Sequence, residues 1–257
     1  MNGNQSNCLL RDDINRVILN FLFTMINYIF DIDGTLTPSR LPINPDFEIF
    51  FKQWIINKNV YLVTGSDKEK TIEQIGLDIW HSVTRAYQSC GNQVWEKGQL
   101  IREKEFQLNH KIKSELLKKL ESSKWKEKFG NHFEQRMGLV NFSIIGRNCS
   151  QQKREEYYKW DKENHERVEI CKLIMEKFPD IEAAVGGQIS IDIYQKGGNK
   201  AQVLNEINDP IYFFGDKMEE GGNDYPIADR LKQENREHTL FKVTNPSETW
   251  NILKKIT

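Results

Sequence analysis

The chain has 257 residues, 38% of them hydrophobic and 28% charged, with 36 basic against 37 acidic residues and a net charge of −1. That length supports one large domain or two modest ones with a real core, and the balanced charge gives no reason to expect nucleic acid or a membrane surface as a partner. The four cysteines, Cys8, Cys90, Cys149 and Cys171, are scattered, with no CxxC or Cys/His cluster, and read as reduced thiols of a cytoplasmic protein.

Residues 1–24 read as an N-terminal extension. The apolar run RVILNFLFTMINYIF is broken by Asn20, Thr24 and Asn27. It falls short of the ~20 residues a membrane span needs. Asp12 and Asp13 beside Arg11 and Arg16 do not suit a signal peptide. The core begins near Met25. INYIF (26–30) is a short β-rich run that predicts a buried strand. Apolar residues at helical spacing predict a helix over 45–59, VYLVTGS (60–66) a second buried strand, and DKEKTIEQIG (67–76) a helix stopped by glycine. Strand, helix, strand, helix predicts a parallel sheet.

The middle of the chain breaks this alternation. HKIKSELLKKLESSKW is helical and charged, GLVNFSIIG (138–146) is strand-like, residues 152–178 read as one long charged helix, and GGQISIDIY (186–194) alternates like a strand with one wet face. The α/β pattern then returns with KAQVLNEI as a helix and IYFFGD (211–216) as a buried strand. The fold class is α/β: a Rossmann-like parallel-sheet core over 25–86 and 196–257, with an inserted α+β domain over 87–195.

Three predicted strands end in polar groups: Asp31 and Asp33, then Thr64-Gly65-Ser66, then Gly215-Asp216. Lys200 opens a predicted helix. In an open parallel sheet, function gathers at the carboxyl ends of the strands. Carboxylates from two strand ends can share one Mg²⁺, which offsets their repulsion. Hydroxyls, backbone N–H groups and a lysine suit a phosphate. One carboxylate facing phosphorus can be a nucleophile, and a second an acid/base. Asp-x-Asp alone also occurs in surface turns. An EF-hand opens the same way, but the twelfth position is Pro42.

FDIDGTLT, VTGS, Lys200 and FFGDKMEEGGND match the four motifs of the haloacid dehalogenase superfamily of phosphotransferases. With GSDKEKTIEQIG, GLVNFSIIGRNCSQ, GGQISIDIY and IYFFGDKMEEGGNDYPIA, the chain resembles eukaryotic-type phosphomannomutase over roughly residues 26 to 250. The resemblance implies that Asp31 is the nucleophile that becomes an aspartyl phosphate and that Asp33 is the general acid/base. It implies Mg²⁺ on Asp31, the backbone carbonyl of Asp33, and Asp216, with Asn223 and Asp224 completing the acidic loop. Ser66 and Lys200 would neutralise the transferring group. Arg40, Arg136 and Arg147, with Ser190 and Asp192, would bind the distal phosphate and sugar under a cap. The implied reaction interconverts mannose 1-phosphate and mannose 6-phosphate, with a hexose 1,6-bisphosphate as activator and a cap-joined homodimer. The alternative is a Mg²⁺-dependent sugar-phosphate phosphatase. The chain departs from the family pattern at Phe129, where the family has an arginine, and at Ile144, Gly198 and Asn199.

Overall fold

The computed structural model describes residues 25–256, so the extension expected over 1–24 lies outside the described residues. β1 (Asn27–Phe30) is buried along its whole length and is followed by α1 (Pro45–Trp54), β2 (Asn59–Val63), α2 (Lys68–Ser82) and β3 (Arg85–Gln88). A short 3₁₀ turn (Ser89–Gly91) leads into β4 (Gln93–Glu96) and β5 (Gln99–Glu103). Then come α3 (His110–Ser122), β6 (Phe133–Arg136), β7 (Leu139–Phe142), α4 (Gln151–Asn164), α5 (Glu166–Lys177), β8 (Ile181–Val185) and β9 (Ile191–Gln195). A 3₁₀ helix (Lys200–Asn205), β10 (Ile211–Gly215), α6 (Tyr225–Gln233), β11 (His238–Lys242) and α7 (Pro246–Leu253) close the chain.

One sheet has seven strands in the order β11-β10-β1-β2-β3-β4-β5. The pairs from β11 to β3 are parallel and the last two antiparallel. β1 lies between β2 and β10, so side chains of both parities are covered. Tyr28 and Phe30 join the cluster with Phe47 and Phe51 of α1 and Ile75 and Ile79 of α2. Ile29 packs on the other face with Val203, Leu204, Ile227 and Leu231. Phe30 stacks on Phe214 at 4.6 Å between ring centres, and Phe214 on Phe241 at 4.3 Å. This wall of rings across β1, β10 and β11 fixes where their polar ends emerge.

The second sheet has four antiparallel strands in the order β6-β7-β9-β8. Its Phe142, Ile191 and Ile193 pack with Ile112, Leu116, Tyr157, Ile170 and Ile174 of α3, α4 and α5. Alternation sends Asn141 and Asp192, opposite each other in register, to the other face. The face that reads as wet in the sequence points at the first sheet, and Asp192 is buried there.

Four expectations need correction. β4 and β5 belong to the seven-stranded sheet, so its chain runs on through residue 103, past the boundary at 87. The helix over 152–178 is two helices, because His165 is left-handed (φ 55°), its N–H closes α4 on Asp161, and the Asp161 carboxylate accepts the N–H of Arg167. The KAQVLNEI segment is a six-residue 3₁₀ helix; Lys200 through Leu204 are all buried, so no amphipathic α face exists. The helix from 67 breaks at Gly76 (φ 79°, ψ 158°) as expected, but a further turn continues to Ser82. Cys90, Cys149 and Cys171 are free and buried. Among the described residues no helix is long and apolar enough to cross a membrane.

The two units touch at named points. Arg136 Nη1 donates to the carbonyl of Gly65 at 2.5 Å. The Val185 N–H donates to the carbonyl of Gly221 at 3.2 Å. The Asn92 amide lies within reach of the carbonyls of Ser89, Gly138 and Gly198.

Candidate active site

Asp31 follows β1 directly and its N–H continues the parallel ladder onto Phe214 at 2.9 Å. The carboxylate is 3% exposed. Its Oδ1 accepts from Lys200 Nζ at 2.5 Å and its Oδ2 from the Thr35 hydroxyl at 3.3 Å. Burial pushes its pKa up to about 8; Lys200 opposes this, while Asp224 and Asp216 add to it. Lys200 is 1% exposed and also donates to Asp224 Oδ1 at 2.7 Å. Burial works against its charge, but Asp224 and Asp31 reverse that and raise its pKa.

Asp216 ends β10. Its Oδ2 accepts from Lys217 Nζ at 2.6 Å, while Oδ1 is buried with no partner. Burial raises the pKa of Asp216. Asp224 is fully committed: Oδ1 to Lys200, Oδ2 to the N–H groups of Asp216 and Lys217. One carboxylate oxygen from each of Asp31, Asp216 and Asp224 falls within 4.8 Å of the others. The buried Oδ1 atoms of Asp216 and Asn223 lack partners. Converging acidic oxygens with orphaned acceptors fit a hard divalent cation, and the spare capacity lies on Asp216 and Asn223 rather than Asp224. Gly34 makes the approach possible: it is left-handed (φ 90°), and a Cβ there would sit 2.5 Å from Asp216 Oδ2.

The Asp33 carboxylate is not part of that cluster. Its Oδ1 accepts from the Arg40 N–H at 2.7 Å and from Gln74 Nε2 at 3.0 Å. Arg40 takes a left-handed conformation (φ 63°), a strained backbone that places this N–H on Asp33. Thr64 Oγ1 accepts the Ser66 N–H at 3.1 Å, shaping the loop after β2.

The four-stranded sheet brings the other side. Arg136 donates from Nε and Nη2 to Glu134 Oε1 at 2.7 and 2.5 Å. Arg147 Nη1 donates to Asn141 Oδ1 at 2.7 Å and Ser190 Oγ at 2.9 Å, and its Nε lies 2.6 Å from Glu134 Oε2. Glu134 therefore couples the two guanidiniums. Asp192 accepts from Asn141 at 2.6 Å; burial raises its pKa and Arg136 opposes the shift. A Cβ on Gly65 would meet the Asp192 carboxylate at 3.0 Å, so glycine lets the two units close here.

Asp31, Asp33, Arg40, Ser66, Arg136, Arg147, Ser190, Asp192 and Asp216 line one cavity. Lys200 sits behind Asp31 instead of in the lining. Sequence reasoning missed Lys70, Asn141, Arg154 and Lys217, which line the same cavity, and Glu134, which organises it. Lys70, Lys217 and Asn141 stood inside recognised segments; Arg154 sits among helix-surface charges and carried no signal.

The family described as eukaryotic phosphomannomutase matches residues 47–257. Phosphomannomutase 1 of Dictyostelium discoideum is 35% identical over 240 residues, 89% of this chain and 95% of that protein. Phosphomannomutase of Oryza sativa subsp. japonica is 36% identical over 231 residues, 86% and 91% of the two chains. Among solved structures, the C-terminal domain of C. albicans trehalose-6-phosphate phosphatase is similar with a TM-score of 0.61 at 13% identity, over 93% of this chain and 95% of that chain. An N-terminally truncated Plasmodium falciparum IMP-nucleotidase gives 0.59 at 19% identity, over 91% and 70%. The structural likenesses speak for the fold alone, but the sequence matches span most of this chain and of its relatives, and the chain belongs to the eukaryotic phosphomannomutase family.

Proposed function

We propose that the chain interconverts mannose 1-phosphate and mannose 6-phosphate through an aspartyl phosphate on Asp31, primed by a hexose 1,6-bisphosphate. One observation carries this reading: a single cavity is lined both by the buried Asp31 carboxylate and by a cluster of guanidiniums. That suits a ligand with a phosphate at each end.

Asp31 Oδ2, held only by a long hydrogen bond to Thr35, is the oxygen free to attack phosphorus. The P–O bond to the sugar breaks as the P–O bond to Asp31 forms. Asp33 supplies a proton to the departing sugar oxygen and later takes one from the incoming hydroxyl. Its fixed Oδ1 leaves Oδ2 for that exchange, since Oδ2 takes no hydrogen bond from the described residues. Lys200 favours the ionised form of Asp31 against the pull of burial and offsets charge behind it. Asp31, the Asp33 carbonyl and Asp216 would hold Mg²⁺, whose charge supports the phosphoryl oxygens. Ser66 offers a hydroxyl from the loop after β2. Arg40, Arg136 and Arg147 grip whichever phosphate is not reacting, with Ser190 and Asp192 beside the sugar. The same reading has two copies joined through the four-stranded-sheet unit; sedimentation that finds only monomer at working concentration counts against this.

Phosphorus NMR with Mg²⁺, mannose 1-phosphate and catalytic glucose 1,6-bisphosphate tests the reaction. Mannose 6-phosphate accumulating without inorganic phosphate supports the mutase. Inorganic phosphate alone means that water takes the phosphoryl group and the chain is a phosphatase.

A further inference from the structure

We propose that Asn92 and Gln202 are positioning residues: their buried side-chain amides knot together the two crossings of the chain between the sheet units, hold the four-stranded unit closed over Asp31, and so keep water from the phosphorylated carboxylate. The consequence for water rests on the phosphoryl-transfer reading above; the knot itself does not.

The chain leaves the seven-stranded sheet after β5, at Lys104, and returns after β9 through residues 196–199. Asn92, at the head of β4, meets both crossings. Its carbonyl accepts the N–H of Lys104 at 2.7 Å, and its side-chain amide lies 3.1 Å from the carbonyl of Gly198. The same amide reaches the four-stranded sheet at the carbonyl of Gly138, 3.3 Å away in the turn between β6 and β7. Gly138 permits the approach: it is left-handed (φ 72°), and a Cβ there would overlap the Cβ of Asn92. Gly198, where the chain departs from the family pattern, would likewise turn a Cβ toward Asn92 Oδ1, at 3.5 Å.

Gln202 completes the knot. Its Nε2 donates to the carbonyl of Cys90 at 2.8 Å and to Asn92 Oδ1 at 3.2 Å, and its Oε1 accepts from Lys104 Nζ at 3.1 Å. Asn92 and Gln202 are both buried, and every polar atom of the two side chains has a partner. A buried amide network that is fully satisfied in one arrangement selects that arrangement, because any other leaves polar atoms unpaired out of water. The knot also pins a strained turn. Ser89, Cys90 and Gly91 are all left-handed (φ 48°, 61° and 90°), and the amides of Asn92 and Gln202 bond the carbonyls of Ser89 and Cys90.

Both ends of the knot lead to the cavity. Gly138 stands two residues after Arg136, which lines it, and Gly198 two residues before Lys200, which holds Asp31. Loss of the knot therefore frees one wall of the cavity to move from the other and admits water.

The test reads closure without turnover. The Val185 N–H bonds the carbonyl of Gly221 across the two units and touches no residue of the knot, so its hydrogen exchange in the ligand-free protein reports opening. The Thr64 N–H, bonded to the carbonyl of Tyr87 inside the seven-stranded sheet, is the reference. Asn92→Ala and Gln202→Met are expected to speed exchange of Val185 at least fivefold more than that of Thr64. A smaller difference, or a Val185 amide already unprotected in the parent, overturns the knot. If Asn92→Ala does not fold, Gln202→Met decides alone. Where phosphorus NMR finds a mutase, inorganic phosphate released per mannose 6-phosphate should rise at least threefold in the same variants, a ratio that does not depend on how much protein is folded. An unchanged ratio beside faster Val185 exchange overturns the exclusion of water. Where phosphorus NMR finds only a phosphatase, the mutase reading fails and the exchange contrast still decides the knot.

Discussion

The ammonium of Lys200 lies 2.5 Å from Oδ1 of Asp31, and both side chains are shut away from solvent. The pair joins the start of the 3₁₀ helix to the end of β1, 169 residues apart in sequence. Lys200→Met leaves Asp31 and Asp224 buried without their shared cation, and breaking such a pair costs about 3–5 kcal/mol. Asp31 is pushed further toward its protonated form. A lower urea midpoint and loss of phosphoenzyme by roughly 10²–10³-fold in rate are expected. Full-rate phosphorylation of Asp31 in a folded variant would remove Lys200 from the chemistry.

Arg167 and Asp161 make a second buried pair, within the four-stranded-sheet unit. Arg167 Nε donates to Asp161 Oδ2 at 2.7 Å, and its Nη1 donates to the carbonyls of Gly187 and Ser190 at 2.9 and 3.2 Å. These bonds hold the loop that places Ser190 against Arg147. Arg167→Met is expected to cost about 3–5 kcal/mol by stranding Asp161. Below the lowered melting temperature, KM for hexose phosphate should rise while kcat changes less, because only the placement of Ser190 is loosened. An unchanged KM would mean that the loop holds its shape without Arg167.

Lys70 sets a pH dependence with a definite sign. Its pKa is brought to about 8, against 10.5 for an ordinary lysine, by burial first and then by Arg40; Arg136 adds to the lowering, while Asp33 and Glu134 oppose it. Below pH 8 the ammonium is charged and attracts phosphate, so KM is flat there on its account. Above pH 8 the charge is lost and KM climbs, and Lys70→Met should remove that climb while starting from a weaker value. Stability of the ligand-free protein moves the other way. Between pH 8 and 10.5 the unfolded chain holds a proton that the folded one has shed, so Lys70 favours folding increasingly as pH rises through that window. Kinetic profiles and urea melts across pH 7–10 check both signs.

The strand-end chemistry was legible because carboxylates are out of place beside buried strands: Asp31, Asp33 and Asp216 each follow an apolar run that has no other reason to end in acid. The β4–β5 hairpin was not. Its turn is Lys97-Gly98, both left-handed (φ 49° and 79°), the geometry of a two-residue hairpin loop without its usual Asn-Gly signature. Leu100 and Ile101 of β5 are both exposed, so no alternation marks an inner face. Lys70, Glu134 and Arg154 were illegible for another reason. A lysine in a KEK triplet and an arginine in QKREE look like any solvated helix face, and only the meeting of the two units sets them on one cavity, Arg154 buried and Lys70 half-buried. Tertiary placement, not local pattern, decides their role.

Metal dependence gives the last expectation. Asp31, Asp216 and Asp224 converge within 4.8 Å, and Lys200 and Lys217 do not saturate them, because Asp216 Oδ1 has no partner. A divalent cation adds the missing ligand interaction and binds only the folded chain. At free Mg²⁺ one hundred times its Kd, it stabilises by about 2.7 kcal/mol. The melting temperature should therefore rise with Mg²⁺ and fall back on chelation, together with loss of turnover. Asp216→Asn removes the carboxylate that has a free oxygen and should shrink the Mg²⁺-dependent shift. Asp229→Asn, on α6 with its carboxylate engaged by Tyr225 and Gln233, should leave the shift intact. An undiminished shift in Asp216→Asn would place the cation away from the strand ends, and Asp216 would then serve only to hold Lys217.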